Sequence, residues 1–220
     1  VNLELSGNEF DLKPTKIVAV ARNYQAHADE MKADVPAEPS FFLKPPSSLL
    51  ANNGEVILPK VSARVDHEVE LAVIMKTRTR NVAPDDVKEK LLGYTVLVDV
   101  TARDIQAKAK QRGMPWTIAK GYDTFAPIGP RIVPVHAVDE RNLGIWLKIN
   151  GEERQHGNTA QMIFTVEQLV SFISNIMTLE PMDIIATGTP SGVGPMQDGD
   201  TIDAGIEQIG VLHFRAVRES

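Results

Sequence analysis

Cysteine is absent from all 220 residues, which removes disulfides, thiolate nucleophiles and sulfur-ligated zinc together and fits a reducing compartment. Chemistry is left to oxygen, imidazole and amine groups. Long apolar runs are missing too: no stretch approaches the roughly 20 residues that a membrane span requires, and no charged segment leads into an apolar core of signal-peptide type. We therefore expect a cytoplasmic protein with no membrane partner; the first residue, Val1 rather than Met, fits trimming of a longer chain. Basic blocks are lacking. The 23 Lys and Arg against 29 Asp and Glu give a net charge of -6, which argues against nucleic acid as a partner and favours a small ligand. Repeats and low-complexity tracts are absent, and "GTPSGVG" lacks both GK[ST] and the glycine spacing of a dinucleotide fingerprint.

What is present is an ordinary globular composition, 43% hydrophobic and 24% charged, in a chain long enough for one large domain or for one domain with a small appendage. Residues 1–14, polar and closed by Pro14, predict a short N-terminal segment or subdomain ahead of a main domain spanning 15–220. Strands are predicted at "KIVAVA", at "SFFLK" before the Pro45-Pro46 break, at "GEVILP", at "YTVLVDVTA" and in the last third at "DIIATG" and "IGVLHFRAV". Asn150-Gly151 predicts a hairpin. Helices are predicted after Arg22 as far as Pro36, over "APDDVKEKLLGY" with Gly93 as its stop, over "ARDIQAKAKQRG", and over "TVEQLVSFISNIM", where Thr165 and Gln168 form a capping box ahead of Leu169, Phe172, Ile173 and Ile176. Many short strands with few, non-alternating helices point to a β-rich mixed fold of α+β class rather than a doubly wound parallel sheet.

The stretch "VDHEVELAVIM" alternates like a strand, with Asp66, Glu68 and Glu70 on one face and Val69, Leu71, Val73 and Met75 on the other. Alone, it reads equally as the wet side of a half-buried strand. Asp99 sharpens it, because it interrupts Val96, Leu97, Val98 and Val100, where an unpaired carboxylate costs several kcal/mol or becomes neutral. Asp99 either caps a helix beginning near Thr101 or has a charged partner. A divalent cation between Glu68, Glu70 and Asp99 answers both puzzles; three oxygen ligands plus water suit Mg²⁺ or Mn²⁺, with Ca²⁺ tolerated. Two further pairs have helical spacing. His27 and Glu30 stand at i and i+3 in "HADE", as do Arg103 and Gln106 in "ARDIQ", the first pair placing a carboxylate beside an imidazole and the second able to hold a substrate carboxylate or metal-bound water. Each also reads as ordinary residues on a solvated helix. Arg22 is a second candidate carboxylate clamp, and Thr189 in "TGTPSGVG" a hydroxyl donor in what is otherwise a plain turn.

Together "HEVELAVIM", "YTVLVDVTARDIQ", "MPWTIAKGYDTFAPIGP", "LKINGEERQHGNT" and "DIIATGTPSGVGP" resemble the fumarylacetoacetate hydrolase family, in particular its short acylpyruvase and oxaloacetate decarboxylase branch, from about Lys16 to the C-terminus. The resemblance implies a mixed β-sandwich roll, a homodimer, and metal ligation by the two glutamates of E-x-E and the next strand's aspartate, here Glu68, Glu70 and Asp99. It also implies that His27 and Glu30 are a water-activating dyad on a lid helix and that Lys120 sits beside the metal, donating to the developing oxyanion or enolate. The expected reaction is cleavage of the C–C bond of a small acylpyruvate-type β-diketo acid to pyruvate and a carboxylate. Oxaloacetate decarboxylation, and decarboxylation or isomerisation of an unsaturated keto-diacid from aromatic catabolism, are enzymatic alternatives on the same site. A noncatalytic protein with a structural metal is the alternative of another class. His67, His136, His156 and His213 carry no matched role.

Overall fold

The computed structural model describes residues 1–30 and 37–220; the predicted helix end at Pro36 lies outside the described residues. Among these residues three sheets form. A nine-stranded mixed sheet runs in the order Asn8–Asp11, Asn2–Leu5, Ala126–Pro134, Leu91–Val98, Val69–Met75, Ile184–Ala186, Ile17–Ala21 and Ser40–Lys44, with Leu49–Leu50 added alongside Ala126–Pro134. A five-stranded sheet runs Glu152–Asn158, Gly144–Ile149, Thr201–Ile206, Gly210–Arg218 and Gly54–Leu58. A small three-stranded antiparallel piece joins Thr101–Ala102, Val65–His67 and Gly194–Pro195. Four α-helices are short: α1 (Gln25–Glu30), α2 (Arg103–Gln111), α3 (Thr117–Lys120) and α4 (Val166–Ile176). The fold is α+β and β-rich. Residues 1–14 contribute a hairpin whose Asn2–Leu5 strand pairs in parallel with Ala126–Pro134, and Leu3 and Leu12 are buried against the main sheet.

Both faces of the central strand Val69–Met75 are buried. Val69, Leu71, Val73 and Met75 join a core with Ile145, Leu147, Ile202 and Phe214 of the five-stranded sheet; on the opposite face Ala72 and Ile74 join Leu3, Ile17, Leu97 and Ile184. The half-buried reading of this strand is therefore corrected. Alternation places Glu68 and Glu70 on the second face, but Ala72 and Ile74 continue that face as core, so the carboxylates point into a covered space rather than to solvent.

Three further expectations change. The segment after Ala83 is a 3₁₀ turn, Pro84–Lys90, and not an α-helix; Val87 is its one buried side chain, and Leu91 is drawn into strand pairing with Met75 of the central strand. Gly93 lies inside that strand, where a Cβ would fall 2.2 Å from the Val133 carbonyl oxygen, so it serves close strand approach rather than helix termination. Ala126–Pro134 is a further strand, which the sequence reading does not include; its three prolines (Pro127, Pro130, Pro134) lack ladder donors, and its register shifts between Gly129 and Val133. The α4 capping box forms as expected, but its buried apolar face is Val166, Leu169, Val170 and Ile173, and Ile176 is exposed.

Candidate active site

Glu68 occupies the break between strands Val65–His67 and Val69–Met75, and its carbonyl accepts from the Asp99 N–H at 2.8 Å. Asp99 follows Leu91–Val98, the neighbour of the central strand in the register Val69↔Val98, so sheet pairing alone brings the two carboxylates to one level. Glu70 is one pleat further along, and its Oε2 accepts from the Gly188 N–H at 2.7 Å. One oxygen from each of Glu68, Glu70 and Asp99 lies within 4.8 Å of the others, and all three residues are buried. Asp99 caps no helix: α2 begins at Arg103 after Ala102, without a side-chain cap.

Cations satisfy two of the three carboxylates. Lys120 Nζ donates to Glu68 Oε2 at 2.7 Å and to Asp99 Oδ2 at 2.5 Å. Lys44, buried at the end of its strand, donates to Asp99 Oδ1 at 2.7 Å and to the Val100 carbonyl at 3.2 Å. Arg103 donates through Nε to Asp66 at 2.8 Å, through Nη1 to Gln106 Oε1 at 2.8 Å, and through Nη2 to Glu68. Burial opposes ionisation of Glu68, but Lys120, Arg103 and His27 outweigh it and hold this carboxyl well below the usual range. Glu70 behaves in the opposite way: burial first, then the charges of Asp99 and Glu68, push its carboxyl well above the usual range. Burial also lowers the Lys44 ammonium against the pull of Asp99. For Lys120, burial is overridden by Asp99 and Glu68, which raise it.

The residues therefore fit a divalent cation. The donor set is all oxygen, which suits a hard ion; and among the described residues Glu70 has no cation of its own within hydrogen-bond reach and the buried Tyr24 hydroxyl, which feels the Glu70 charge, has no hydrogen-bond partner. Asp66 stays outside the group, held by Arg64 and Arg103.

These groups open on a cavity of about 270 Å³, slightly under the roughly 300 Å³ at which drug-sized pockets begin. Arg22, His27, Glu68, Glu70, Asp99, Arg103, Gln106, Lys120 and Thr189 all line it. Of the site residues expected from sequence, Glu30 alone lies behind the wall: its Oε2 is 3.3 Å from His27 Nδ1, and its carboxylate accepts from the Gly192 N–H at 3.1 and 3.2 Å. Gly192 has φ +94° and no room for a Cβ, which would fall 2.2 Å from the Arg154 carbonyl oxygen. Asn23 anchors the start of α1, bonding the Phe164 and Thr187 carbonyls and the Phe164 N–H at 2.7–3.0 Å. Arg103, expected at a substrate carboxylate, has three of its N–H groups on Asp66, Glu68 and Gln106.

Sequence reasoning missed Lys44, Gln155 and His67. Lys44 had a usable signal, a lysine ending the aromatic strand "SFFLK", equivalent to the one that exposed Asp99. Gln155 had none. Its Oε1 accepts from Val69 N–H at 3.1 Å and lies 2.8 Å from His67 Nδ1, so that imidazole carries its proton on Nδ1. Gln155 Nε2 then donates to Thr189 Oγ1 at 2.8 Å and to the Pro190 carbonyl at 2.9 Å. Thr189 is thereby left with its own hydroxyl proton to offer the cavity.

Comparison with known proteins identifies the family. The family model described as fumarylacetoacetate (FAA) hydrolase C-terminal matches residues 16–217. An Arabidopsis thaliana protein named oxaloacetate tautomerase FAHD1, mitochondrial, is 48% identical over 204 residues, covering 93% of this chain and 92% of its own. A Dictyostelium discoideum protein named oxaloacetate decarboxylase, mitochondrial, is 46% identical over 200 residues, covering 90% and 92%. The crystal structure of fumarylpyruvate hydrolase from Pseudomonas aeruginosa, in complex with Mn²⁺ and pyruvate, superposes with a TM-score of 0.94 at 34% identity, covering 100% of this chain and 96% of that one. The chain belongs to the fumarylacetoacetate hydrolase family, whose members are enzymes.

Proposed function

We propose that this protein is a divalent-metal-dependent enzyme that cleaves the C–C bond of a small acylpyruvate-type 2-keto acid, releasing pyruvate and a carboxylate. The observation that carries the reading is His27, backed by Glu30, on the same small cavity as the carboxylate triad and Lys120. Glu68, Glu70 and Asp99 would hold the cation, which would supply Lewis-acid chemistry at the keto-acid head of the substrate. Glu30 holds Nδ1 of His27 and leaves Nε2 to take a proton from water. The water oxygen bonds to the distal acyl carbon, the C–C bond breaks with its electron pair going to the pyruvate fragment, and the resulting enolate takes at carbon the proton that His27 removed from the water. Lys120 supplies positive charge beside the developing oxyanion, and the free hydroxyl proton of Thr189 and the amide of Gln106 orient the carboxylate end.

A second reading uses the same site without an attacking water: decarboxylation or keto–enol exchange of oxaloacetate. It is favoured by the 48% and 46% identities to proteins named for those reactions. The test is a Mg²⁺- or Mn²⁺-supplemented panel of acetylpyruvate, fumarylpyruvate and oxaloacetate, read by product identification, on the native protein and on His27→Ala. Hydrolysis should fall by about 10²–10⁴-fold in the variant and decarboxylation much less. Equal loss of both removes the dyad from water activation, and no turnover of any of the three by the native protein refutes the function.

A further inference from the structure

The cations around the triad are all engaged by Asp66, Glu68 and Asp99, yet the cavity has two more cations. Asp66 is held by Arg64 and Arg103, Glu68 by Arg103 and Lys120, and Asp99 by Lys44 and Lys120. Arg22 and Lys110 also line the cavity, and among the described residues neither makes an ion pair. Lys110 projects from α2 onto a wall of aromatic rings. Its Nζ stands 4.9 Å from the Trp116 ring centroid, Trp116 packs against Phe42 at 5.5 Å, and Phe42 in turn lies 4.9 Å beneath Lys120 Nζ. The wall therefore has a lysine at each end, Lys120 beside the triad and Lys110 at the mouth.

We propose that Lys110, seated on Trp116 and facing the cavity with Arg22, binds the second carboxylate of a dicarboxylic keto acid and makes dianionic substrates preferred over monoanionic acylpyruvates. The inference rests on the keto-acid reading above and deepens it. The head of a 2-keto acid belongs at the triad, Lys120 and Thr189, which leaves the mouth to read the part of the substrate beyond the keto group. An apolar acyl tail there has to lie against two cations that have no ion-pair partner among the described residues, whereas a carboxylate meets a charge-assisted hydrogen bond. The local field points the same way. Burial, Arg103, Lys120 and Arg22 all disfavour the Lys110 ammonium, with Glu68 alone opposing them among the leading influences, so an arriving anion relieves like-charge crowding as well as pairing with Lys110. Trp116 fixes the ammonium by a cation–π contact instead of neutralising it.

The test compares native protein, Lys110→Met and Lys110→Arg, each loaded with Mn²⁺, on fumarylpyruvate and on its ester at the distal carboxylate, a monoanion of the same reactive core. For fumarylpyruvate, Lys110→Met should raise KM about tenfold with kcat nearly unchanged, and Lys110→Arg should restore most of it; for the ester the change in KM should be several-fold smaller. Equal KM changes for the two substrates, or none for either, overturn the proposal. Calorimetric titration with pyruvate and with 2-oxoglutarate separates this inference from the reaction itself. If the native protein turns over no keto acid but still binds the dicarboxylate more tightly in a Lys110-dependent way, the reaction fails and the subsite stands; if Lys110→Met leaves that preference intact, the subsite fails.

Discussion

Replacing Glu70 with Gln should stabilise the metal-free protein and abolish its stabilisation by metal. Glu70 is buried with its ligand oxygen within 4.8 Å of those of Glu68 and Asp99, a separation at which two like charges repel by about 3.5 kcal/mol at an effective dielectric of ~20. Attraction to Lys120 and the Gly188 N–H offsets part of this, and proton uptake caps the remainder. Gln keeps the shape and an acceptor for Gly188 while removing the charge, so we expect a net gain of about 1–3 kcal/mol, or roughly 3–10 °C in Tm. The sign comes from linkage. Because the folded carboxyl titrates above its unfolded value, the metal-free native protein loses stability as pH rises through the ordinary carboxyl pKa of about 4.3. The advantage of Glu70→Gln should thus be absent in acid and grow toward neutrality. With Mn²⁺ at a hundredfold excess over its dissociation constant, the native protein should gain about 2.7 kcal/mol and the variant almost nothing, so that their order reverses. Scanning calorimetry of both proteins in EDTA and in Mn²⁺ decides it. A variant less stable than native protein in EDTA at neutral pH, or one equally stabilised by Mn²⁺, would refute the assignment.

Asp99→Ala should also lose metal binding, but with the opposite effect on the metal-free protein. It strands Lys44 and Lys120 and should cost about 3–5 kcal/mol; unchanged Mn²⁺ affinity by calorimetry together with retained activity would remove Asp99 from the metal site. Gln155→Leu leaves the Val69 N–H and the His67 Nδ1–H without their shared acceptor. It should lower stability by about 2–4 kcal/mol and raise KM for keto acids through Thr189, and an unchanged denaturant midpoint and KM would contradict the network. Gly192→Ala forces a Cβ against the Arg154 carbonyl at φ +94° and displaces the N–H that holds Glu30. Hydrolysis should then fall, because Glu30 no longer holds His27 in place, while Mn²⁺ affinity by calorimetry is kept, and parallel loss of both would show the loop supporting the triad instead.

The triad was legible because burial makes a carboxylate conspicuous. Asp99 stands in a run of Val and Leu, and no solvated reading of it survives once that run is a strand. The covering of the Glu68–Glu70 face was not legible, since Ala72 and Ile74 are short of any local sign that a second layer lies over them. Ala126–Pro134 escaped for a definite reason: proline signals the loss of ladder donors, and pairing in this strand skips residues between Gly129 and Val133. The helix expected to stop at Gly93 failed because Gly punctuates helices and close strand crossings alike, and only the Val133 carbonyl 2.2 Å from its missing Cβ distinguishes them. Gln155 and Asn23 act through partners 34 to 164 positions away in sequence, a separation at which no spacing rule operates.

The site's charge count ties its two ligands together. Before any cation binds, Asp66, Glu68, Glu70 and Asp99 face Arg64, Arg103, Lys44 and Lys120, four acids against four bases. Full ionisation of Glu70 therefore completes a neutral set, and a dication turns that set into an excess of two positive charges, to which Arg22 and Lys110 add at the mouth. In a buried site such an excess is costly until anionic charge arrives. On the proposed reading a dicarboxylic keto acid would bring two negative charges to the same cavity, so that each ligand would remove the electrostatic penalty of the other. By reciprocity of coupled binding, whatever factor the metal contributes to substrate affinity the substrate contributes to metal affinity; on this charge balance the coupling must be weaker for a monoanionic acylpyruvate than for a dianion.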